Sequence, residues 1–172
     1  MALVRSSGPI LQRPAPLRRV IGSLLLGLLL NLIPWPENIV IMVPDMLALM
    51  LIFWVTHQPN RVGLTVCFVL GLLMDVADAS MLGQYALAYT TVGYLSLTLR
   101  RRILQFAGWQ QALFVLILLT LLQAIVLAIN LIAGRSFPGF ELFAAAPIGA
   151  ALWPSLSFFL QQQRPLASLK GA

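Results

Sequence analysis

A chain of 172 residues is long enough for one domain, or at most two small ones. Apolar residues make up 60% of it and charged residues only 9%, whereas an ordinary globular protein carries about 25% charged residues, so a water-soluble domain is excluded and the outer surface must face lipid. The net charge of +6 does not indicate nucleic acid, because the basic residues lie in short clusters between apolar runs, as in membrane proteins of fixed orientation.

Six apolar runs follow one another along the chain and predict an all-α integral membrane protein, a compact bundle of six transmembrane helices over residues 17–160. The runs are Leu17–Ile33, a stretch within Ile39–Val55, Val62–Ala77, Leu82–Leu99, Ala112–Ala133 and Phe140–Leu160. The first run has no small-x-small cleavage site after it, so we interpret it as a retained span. We expect the sixth to be kinked, because it contains Pro147 and Pro154.

The charged residues predict the orientation of these spans. If the segments 1–16 and 161–172 are a cytoplasmic arm and tail, ten of the eleven basic residues fall on the cytoplasmic side, and only Arg135 does not. The ten are Arg5, Arg13, Arg18, Arg19, Arg61, Arg100, Arg101, Arg102, Arg164 and Lys170. The acidic residues lie towards the other side and are Glu37, Asp45, Asp75, Asp78 and Glu141. Because translocation of Lys and Arg is disfavoured, both termini are predicted to be cytoplasmic, and the basic clusters also attract anionic lipids.

Three of the four tryptophans lie where indole rings prefer the membrane interface. Trp35 marks the non-cytoplasmic interface, and Trp54 and Trp109 lie near the cytoplasmic one. Trp153 lies well inside the sixth run, so we expect it to pack internally.

The third run carries small residues at helical spacing. Gly63, Cys67, Gly71 and Asp75 recur every four residues and therefore share one helical face. Small residues at this spacing let two helix backbones approach closely in lipid. The face either packs inside the bundle, which is the commoner role, or contacts a partner protein.

Asp75 and Asp78 lie three residues apart at the non-cytoplasmic end of the third run. Carboxylates in a membrane are costly and are candidates for function. Intramembrane aspartyl proteases need two aspartates on different helices, one in a Gly-x-Gly-Asp setting, and phospholipid-headgroup transferases carry a longer array; neither pattern is present. The favoured interpretation is that these carboxylates meet interfacial water or bind a neighbouring loop, and an enzymatic role ranks last.

The remaining polar residues suggest structural roles. His57 lies beside Gln58-Pro59-Asn60 and is expected in a loop. Gln123 and Asn130, seven residues apart, share a helical face and are predicted to make interhelical hydrogen bonds, as is Asn31. The single cysteine, Cys67, allows no internal disulfide and no cysteine metal site. No phosphate-binding loop, nucleophile elbow or His-Glu-x-x-His pair is present, so no cofactor and no catalytic activity are predicted.

Several short motifs occur in a characteristic order within residues 44–94. They are Pro44-Asp45, Pro59 with Arg61 and Gly63, Gly71-Leu72 with Asp75, and Leu82-Gly83-Gln84 with Ala86 and Tyr89. In this order, within a short chain of six spans, they resemble the rod shape-determining protein MreD family. The clear likeness covers about a third of the chain, and the rest agrees in hydropathy and length.

The resemblance implies a non-enzymatic subunit of the bacterial inner membrane that belongs to the cell-elongation machinery. Proteins of this family bind the bitopic protein MreC and work with MreB, with the glycosyltransferase RodA and with its partner transpeptidase in lateral peptidoglycan synthesis. The family is also similar in fold to the S components of energy-coupling-factor vitamin transporters. No nucleic acid is expected among the partners.

Two hypotheses for function follow from the residues and the resemblance together. In the first, the chain is a scaffold, and the partner span docks on the Gly63–Gly71 face or on the segment from Asp75 and Asp78 to Gly83 and Gln84. In the second, it is a small-molecule-binding transport subunit whose pocket is lined by residues of the fourth and fifth runs. Those residues are Tyr85, Tyr89, Gln123 and Asn130. Tyr85 and Tyr89 equally suit packing within the bundle.

Overall fold

The computed structural model describes residues 16–36, 42–135, 137 and 139–162, and the regular structure within these ranges is helical throughout. The helices are α1 (Leu17–Asn31), α2 (Met46–His57), α3 (Leu64–Ala77), α4 (Gln84–Thr98), α5 (Arg100–Gln105), α6 (Gly108–Ile132) and α7 (Ala145–Gln162), with a 3₁₀ turn at Phe140–Ala144. Most of the predicted terminal segments lies outside the described residues, as does Glu37.

The six apolar runs coincide in large part with α1, α2, α3, α4, α6 and α7. Among the described residues, α6 and the segment Phe140–Leu160 are long and apolar enough to cross a membrane. Helix α7 continues through Pro154, and the kink expected there stays a prediction. Helix α5 was not predicted, since it lies between the fourth and fifth apolar runs. It forms because Ile103 is buried and the Arg100 Nε donates a hydrogen bond to the Thr56 carbonyl oxygen (2.6 Å).

Helix α2 is the centre of the bundle. Every residue from Leu47 to His57 is buried, and α1, α4, α6 and α7 pack around it. Its sequence, MLALMLIFWVTH, has no polar stripe, as is typical of a helix buried on all sides. Because neighbouring helices cover α2, its twelve residues do not need to match the thickness of a bilayer on their own.

Two residues near the end of α2 lie in surroundings that the sequence did not predict. Trp54 is buried, and its Nε1 donates a hydrogen bond to Ser23 Oγ of α1 (2.6 Å); its location near the cytoplasmic interface stays a prediction. His57 is not a loop residue but the last residue of α2, with its ring stacked on Phe53 at 4.2 Å between centroids. Trp153 packs internally as predicted and donates to Gln111 Oε1 (3.3 Å). Neighbouring helices, which hydropathy cannot place, cover Trp54 and His57.

The outer surface of the bundle is apolar. Many large apolar side chains are exposed on the outward faces of the long helices, including Leu25, Leu29, Val69, Leu73, Leu87, Leu113, Ile117 and Phe158. An exposed apolar surface of this extent is unfavourable in water and favourable in hydrocarbon. The all-helical fold and this surface are those of a membrane protein.

Helices α3 and α4 approach each other more closely than side chains normally allow. A Cβ added at Gly71 of α3 would lie 2.6 Å from the Ala86 nitrogen and 2.7 Å from the Tyr85 carbonyl oxygen. One added at Gly93 of α4 would lie 2.7 Å from the Cys67 Sγ. The small residues of the third run therefore pack against α4 inside the chain, where close backbone contact stabilises the pair.

We predict that Gly71→Ala destabilises the protein. The added methyl group meets backbone atoms of α4, which move only with the helix, so the free energy of unfolding should fall by about 2 kcal/mol or more. Thermal unfolding of the purified protein in detergent measures the effect. Gly22→Ala is the matched control, since nothing lies within 4 Å of its added Cβ. Equal melting temperatures for the two variants would show that α3 and α4 are not packed this closely.

Candidate functional site

The charged and polar side chains of the bundle are concentrated at its two ends. We call the end where α1 and α3 finish and α2 and α4 begin the acidic end; its charged residues include Asp45, Asp75 and Asp78. The opposite end, where α1 and α3 begin, is the basic end; its described charged residues are Arg18, Arg19, Arg61, Arg100, Arg101 and Arg102. The acidic end contains the buried Asp75 carboxylate and a cavity with a partly polar lining.

The Asp75 carboxylate caps the N-terminus of α4. It is 1% exposed, and it accepts backbone hydrogen bonds from Gly83 (2.8 Å), Tyr85 (2.6 Å) and Ala86 (3.3 Å). Ser80 Oγ adds a further bond at 3.1 Å. The first N–H groups of a helix have no partner within the helix, and the helix dipole favours a negative charge at that end. A carboxylate on α3 thus holds the start of α4.

Gly83 makes this cap geometrically accessible. It precedes α4 with φ at 100°, in the left-handed region that favours glycine. This conformation turns the chain so that the Gly83 N–H and the first N–H groups of α4 converge on one carboxylate. Gly83 and Asp75, eight residues apart, therefore form the cap together.

Asp45 joins three helices in the same way. It is the N-cap of α2 and accepts a bond from its own Ala48 N–H (2.8 Å). It also accepts bonds from Asn31 Nδ2 of α1 (2.7 Å) and Tyr89 OH of α4 (2.7 Å). Asn31 Oδ1 in turn accepts from the Met46 N–H (3.1 Å). The predicted interhelical bonding of Asn31 is confirmed, and an aspartate just before an apolar run was the sequence signal for this cap.

The structure distributes the predicted partner-binding residues over two environments. Four of them, Cys67, Gly71, Asp75 and Gln84, are buried by the chain's own helices. Gly63 is the N-cap of α3, Gly83 lies at the start of α4, and Asp78 is exposed and accepts a bond from Tyr85 OH (3.2 Å). The buried members hold α3 and α4 together. Contact of this segment with a partner stays a prediction, and its exposed residues are the ones available for it.

The other predicted motif residues shape the turns that lead into α2 and α3. Pro44 is buried directly before the Asp45 cap. Pro59 and Arg61 lie in the turn between α2 and α3, where the backbone N–H groups of Arg61 and Val62 both donate to the Gln58 carbonyl oxygen (3.0 Å each).

The interhelical hydrogen bonds predicted for Gln123 and Asn130 are wrong. Asn130 Oδ1 accepts a bond from Arg135, five residues further on and just past the end of α6 (3.3 Å). Gln123 Oε1 is buried and has no hydrogen-bond partner. The spacing of seven residues places both side chains on one side of α6. Asn130, however, lies near the end of the helix, where its side chain bonds to Arg135 of the following loop.

A cavity of about 330 Å³ lies at the acidic end, beside the Asp45 network. Its polar lining consists of Asn31, Asp45, Asp78, Tyr85 and Gln123, and the rest is apolar apart from Trp35. Tyr85 and Gln123 were predicted to line such a pocket, and they line this cavity. Tyr89 was also predicted to line it, but its side chain is buried and its hydroxyl donates a hydrogen bond to Asp45. Within the described ranges, no group of three or more His, Cys, Asp or Glu side chains could hold a metal ion.

Comparison with known proteins gives one consistent result. The family model for the rod shape-determining protein MreD matches residues 16–163. The chain is also similar to a rod shape-determining protein MreD from Haemophilus influenzae, with 25% identity over 145 residues that cover 84% of this chain and 90% of the relative. No solved structure matches the chain. The family match includes every helix of the bundle and both carboxylate caps.

We predict that Asp75→Asn destabilises the protein strongly. An amide in place of the carboxylate brings its own N–H donors against the donors of Gly83, Tyr85 and Ala86, and buried hydrogen bonds to a charged group contribute about 1.5–3 kcal/mol each. The free energy of unfolding should therefore fall by about 3 kcal/mol or more, measured by thermal unfolding in detergent. Asp78→Asn, at an exposed carboxylate with one hydroxyl partner, is the control. A loss at Asp75 no larger than that at Asp78 would contradict the capping role.

Proposed function

The chain belongs to the family of rod shape-determining proteins MreD, and from this we propose that it is a non-enzymatic subunit of the bacterial inner membrane. It binds an MreC-like bitopic protein and supports lateral peptidoglycan synthesis guided by MreB. RodA and its partner transpeptidase carry out the chemistry of that synthesis. The chain thereby maintains the rod shape of the cell.

One observation carries the scaffold role: the buried carboxyl and carboxamide groups at the acidic end mostly bind helix ends. Asp75 accepts four hydrogen bonds from the α3–α4 turn and the first turn of α4, and Asp45 joins α1, α2 and α4. Carboxylates engaged in this way are held in place by the fold, which suits a structural role. A rigid bundle with an apolar exterior suits a protein that works by contact within the membrane.

In this proposal all six long helices cross the membrane, with the basic end and both termini in the cytoplasm. Helix α6, of 25 residues, is about 37 Å long and spans the hydrocarbon core of about 30 Å by itself. The shorter α1 and α4 pack directly against the enclosed α2, and α3 packs against α4. The basic residues of the described part support this orientation, since Arg18, Arg61 and Arg100–Arg102 all lie at one end.

The outward side of α3 is the proposed contact with the partner's transmembrane helix. Its inward side is occupied by α4, as the close approach at Gly71 requires. A groove of about 300 Å³ runs between α1 and α3, lined only by apolar side chains and Thr65; the others are Ile21, Leu24, Leu25, Val66, Val69 and Leu70. An apolar helix packed into this groove exchanges lipid contacts for closely fitting protein contacts, which is how helices associate in membranes.

We expect Val69→Trp to weaken binding of the MreC-like partner without unfolding the protein. Val69 is half exposed in the groove, so a larger ring occupies the space of the partner's side chains while it remains in an apolar setting. Co-purification of the two proteins after co-expression measures the loss. Ile117→Trp, at a similarly exposed position on α6, is the control for insertion and folding. Equal recovery of the partner by both variants would remove the groove as the docking site.

Depletion of the protein in its native bacterium should convert rods into spheres, because lateral wall synthesis loses its membrane scaffold. Phase-contrast microscopy of the depleted cells gives the result, and re-expression of the unaltered chain should restore the rods. Cells that keep their rod shape after depletion, in a strain without a second copy, would contradict the proposed function.

A further inference from the structure

Helix α5 packs on the end of the central helix and presents two arginines outward. Its Ile103 side chain is buried, and its Arg100 Nε donates a hydrogen bond to the Thr56 carbonyl oxygen, near the C-terminus of α2 (2.6 Å). The helix also contacts α4 and α6. Arg101 and Arg102 are exposed. One side of α5 is therefore fixed to the bundle, and the other side offers the guanidinium groups of two consecutive residues.

No described acidic residue lies near these two cations. Asp45, Asp75 and Asp78 belong to the acidic end, and Glu141 lies in the 3₁₀ turn before α7, beside the cavity at that same end. No Asp or Glu occurs in residues 1–19, 56–64, 98–110 or 160–172 of the sequence. Guanidinium groups without an internal counter-charge favour an anion from outside, and their planar donors match the oxygens of phosphate in pairs.

Exposed apolar side chains lie next to these arginines. Leu104 is 37% exposed and follows Arg101 by three residues, so the two are neighbours on the surface of α5. Trp109, the second residue of α6, is 71% exposed. Indole rings prefer the boundary between headgroups and hydrocarbon, so Trp109 places this part of the chain at the depth of the lipid headgroups. A phosphate that carries acyl chains satisfies the cations and the apolar side chains together.

We propose that α5 and Trp109 form a binding site for an anionic phospholipid. Arg101 and Arg102 bind its phosphate, and Leu104 and Trp109 contact its acyl chains. A general attraction between basic clusters and anionic lipid depends on charge alone, whereas this site is confined to α5 and stabilises the contact of α5 with α2. The site goes beyond the scaffold role, and the purified chain alone is sufficient to test it.

The first test uses phosphatidylglycerol as the probe. The full chain is reconstituted in nanodiscs of phosphatidylcholine, with or without phosphatidylglycerol of the same acyl chains, and its thermal unfolding is followed. Phosphatidylglycerol should raise the melting temperature by about 3 °C or more, because it binds only the folded chain. Glycerol 3-phosphate, a soluble phosphate ester, and a peptide of glutamates should not raise it in discs of phosphatidylcholine. No shift with phosphatidylglycerol, or an equal shift with either soluble anion, would overturn the proposal.

A pair of double variants tests whether the site is local. Arg101→Gln with Arg102→Gln should unfold at an unchanged temperature in phosphatidylcholine, since both side chains are exposed, and should lose most of the shift produced by phosphatidylglycerol. Arg18→Gln with Arg19→Gln is the matched control. It removes two consecutive arginines from the same end of the bundle, on α1, which packs on α2, and it should keep most of the shift. Equal losses in the two double variants would show a diffuse attraction and contradict a site at α5.

The apolar half of the site is tested by lipid retention. Native mass spectrometry of the chain released from mixed discs should show phosphatidylglycerol retained in preference to phosphatidylcholine. Trp109→Ala should reduce this retention several-fold, because the acyl chains lose their contact with the ring. Phe140→Ala is the control, since Phe140 is an equally exposed aromatic residue, 82% accessible, beside the opposite end. Equal retention by the two variants would remove the lipid from the side of α5. No partner protein is present in these experiments, so their outcome is independent of the proposed scaffold role.

Discussion

The fold depends on carboxylates that satisfy helix N-termini away from water. Buried backbone N–H groups are expensive when unpaired, and the expense is greatest in hydrocarbon, where no water can replace the missing acceptor. Asp75 reaches from α3 to the first turn of α4, and Asp45 serves α2 while it also accepts bonds from α1 and α4. Four helices are thus fixed at one end of the bundle by two side chains.

The close approach of α3 and α4 follows from that geometry. With Asp75 bound to the first N–H groups of α4, the two helices must run side by side from the acidic end, and only small residues fit between them. Gly71 contacts the backbone of Ala86, and Cys67, one helical turn before Gly71 on α3, contacts Gly93 of α4. The residues that suggested the MreD family are therefore largely those of this arrangement: the aspartates, the glycines and Tyr89. They define the shape of the bundle, and its function must be carried by the surfaces that the shape presents.

Hydropathy predicted the helices well because the free energy of leaving water depends on the residues alone. The first and fifth apolar runs differ from helices α1 and α6 only at their ends. Hydropathy could not distinguish lipid from protein as the apolar neighbour, which is why the burial of Trp54 was not predicted and His57 was assigned to a loop although their helix was found. Spacing placed Gln123 and Asn130 on one side of α6, but a hydrogen bond also requires a partner at the right depth, and only the packed structure supplies that. The Asp45 cap was not predicted, although its signal is local, since its partner, the Ala48 N–H, is three residues away.

The groove proposed for a partner helix and the cavity at the acidic end are both bounded by α1 and α3. The groove for a partner helix lies between α1 and α3, and the cavity is bounded by the far ends of the same helices, at Asn31 and Met74. Met74 is one turn beyond Leu70 of the groove, on a helix that Asp75 anchors. A partner helix that alters the separation of α1 and α3 in the groove therefore also alters the cavity. At the acidic end α1 is held by the two hydrogen bonds of Asn31 and, one turn earlier, by the close packing of Gly27 on the backbone of α2.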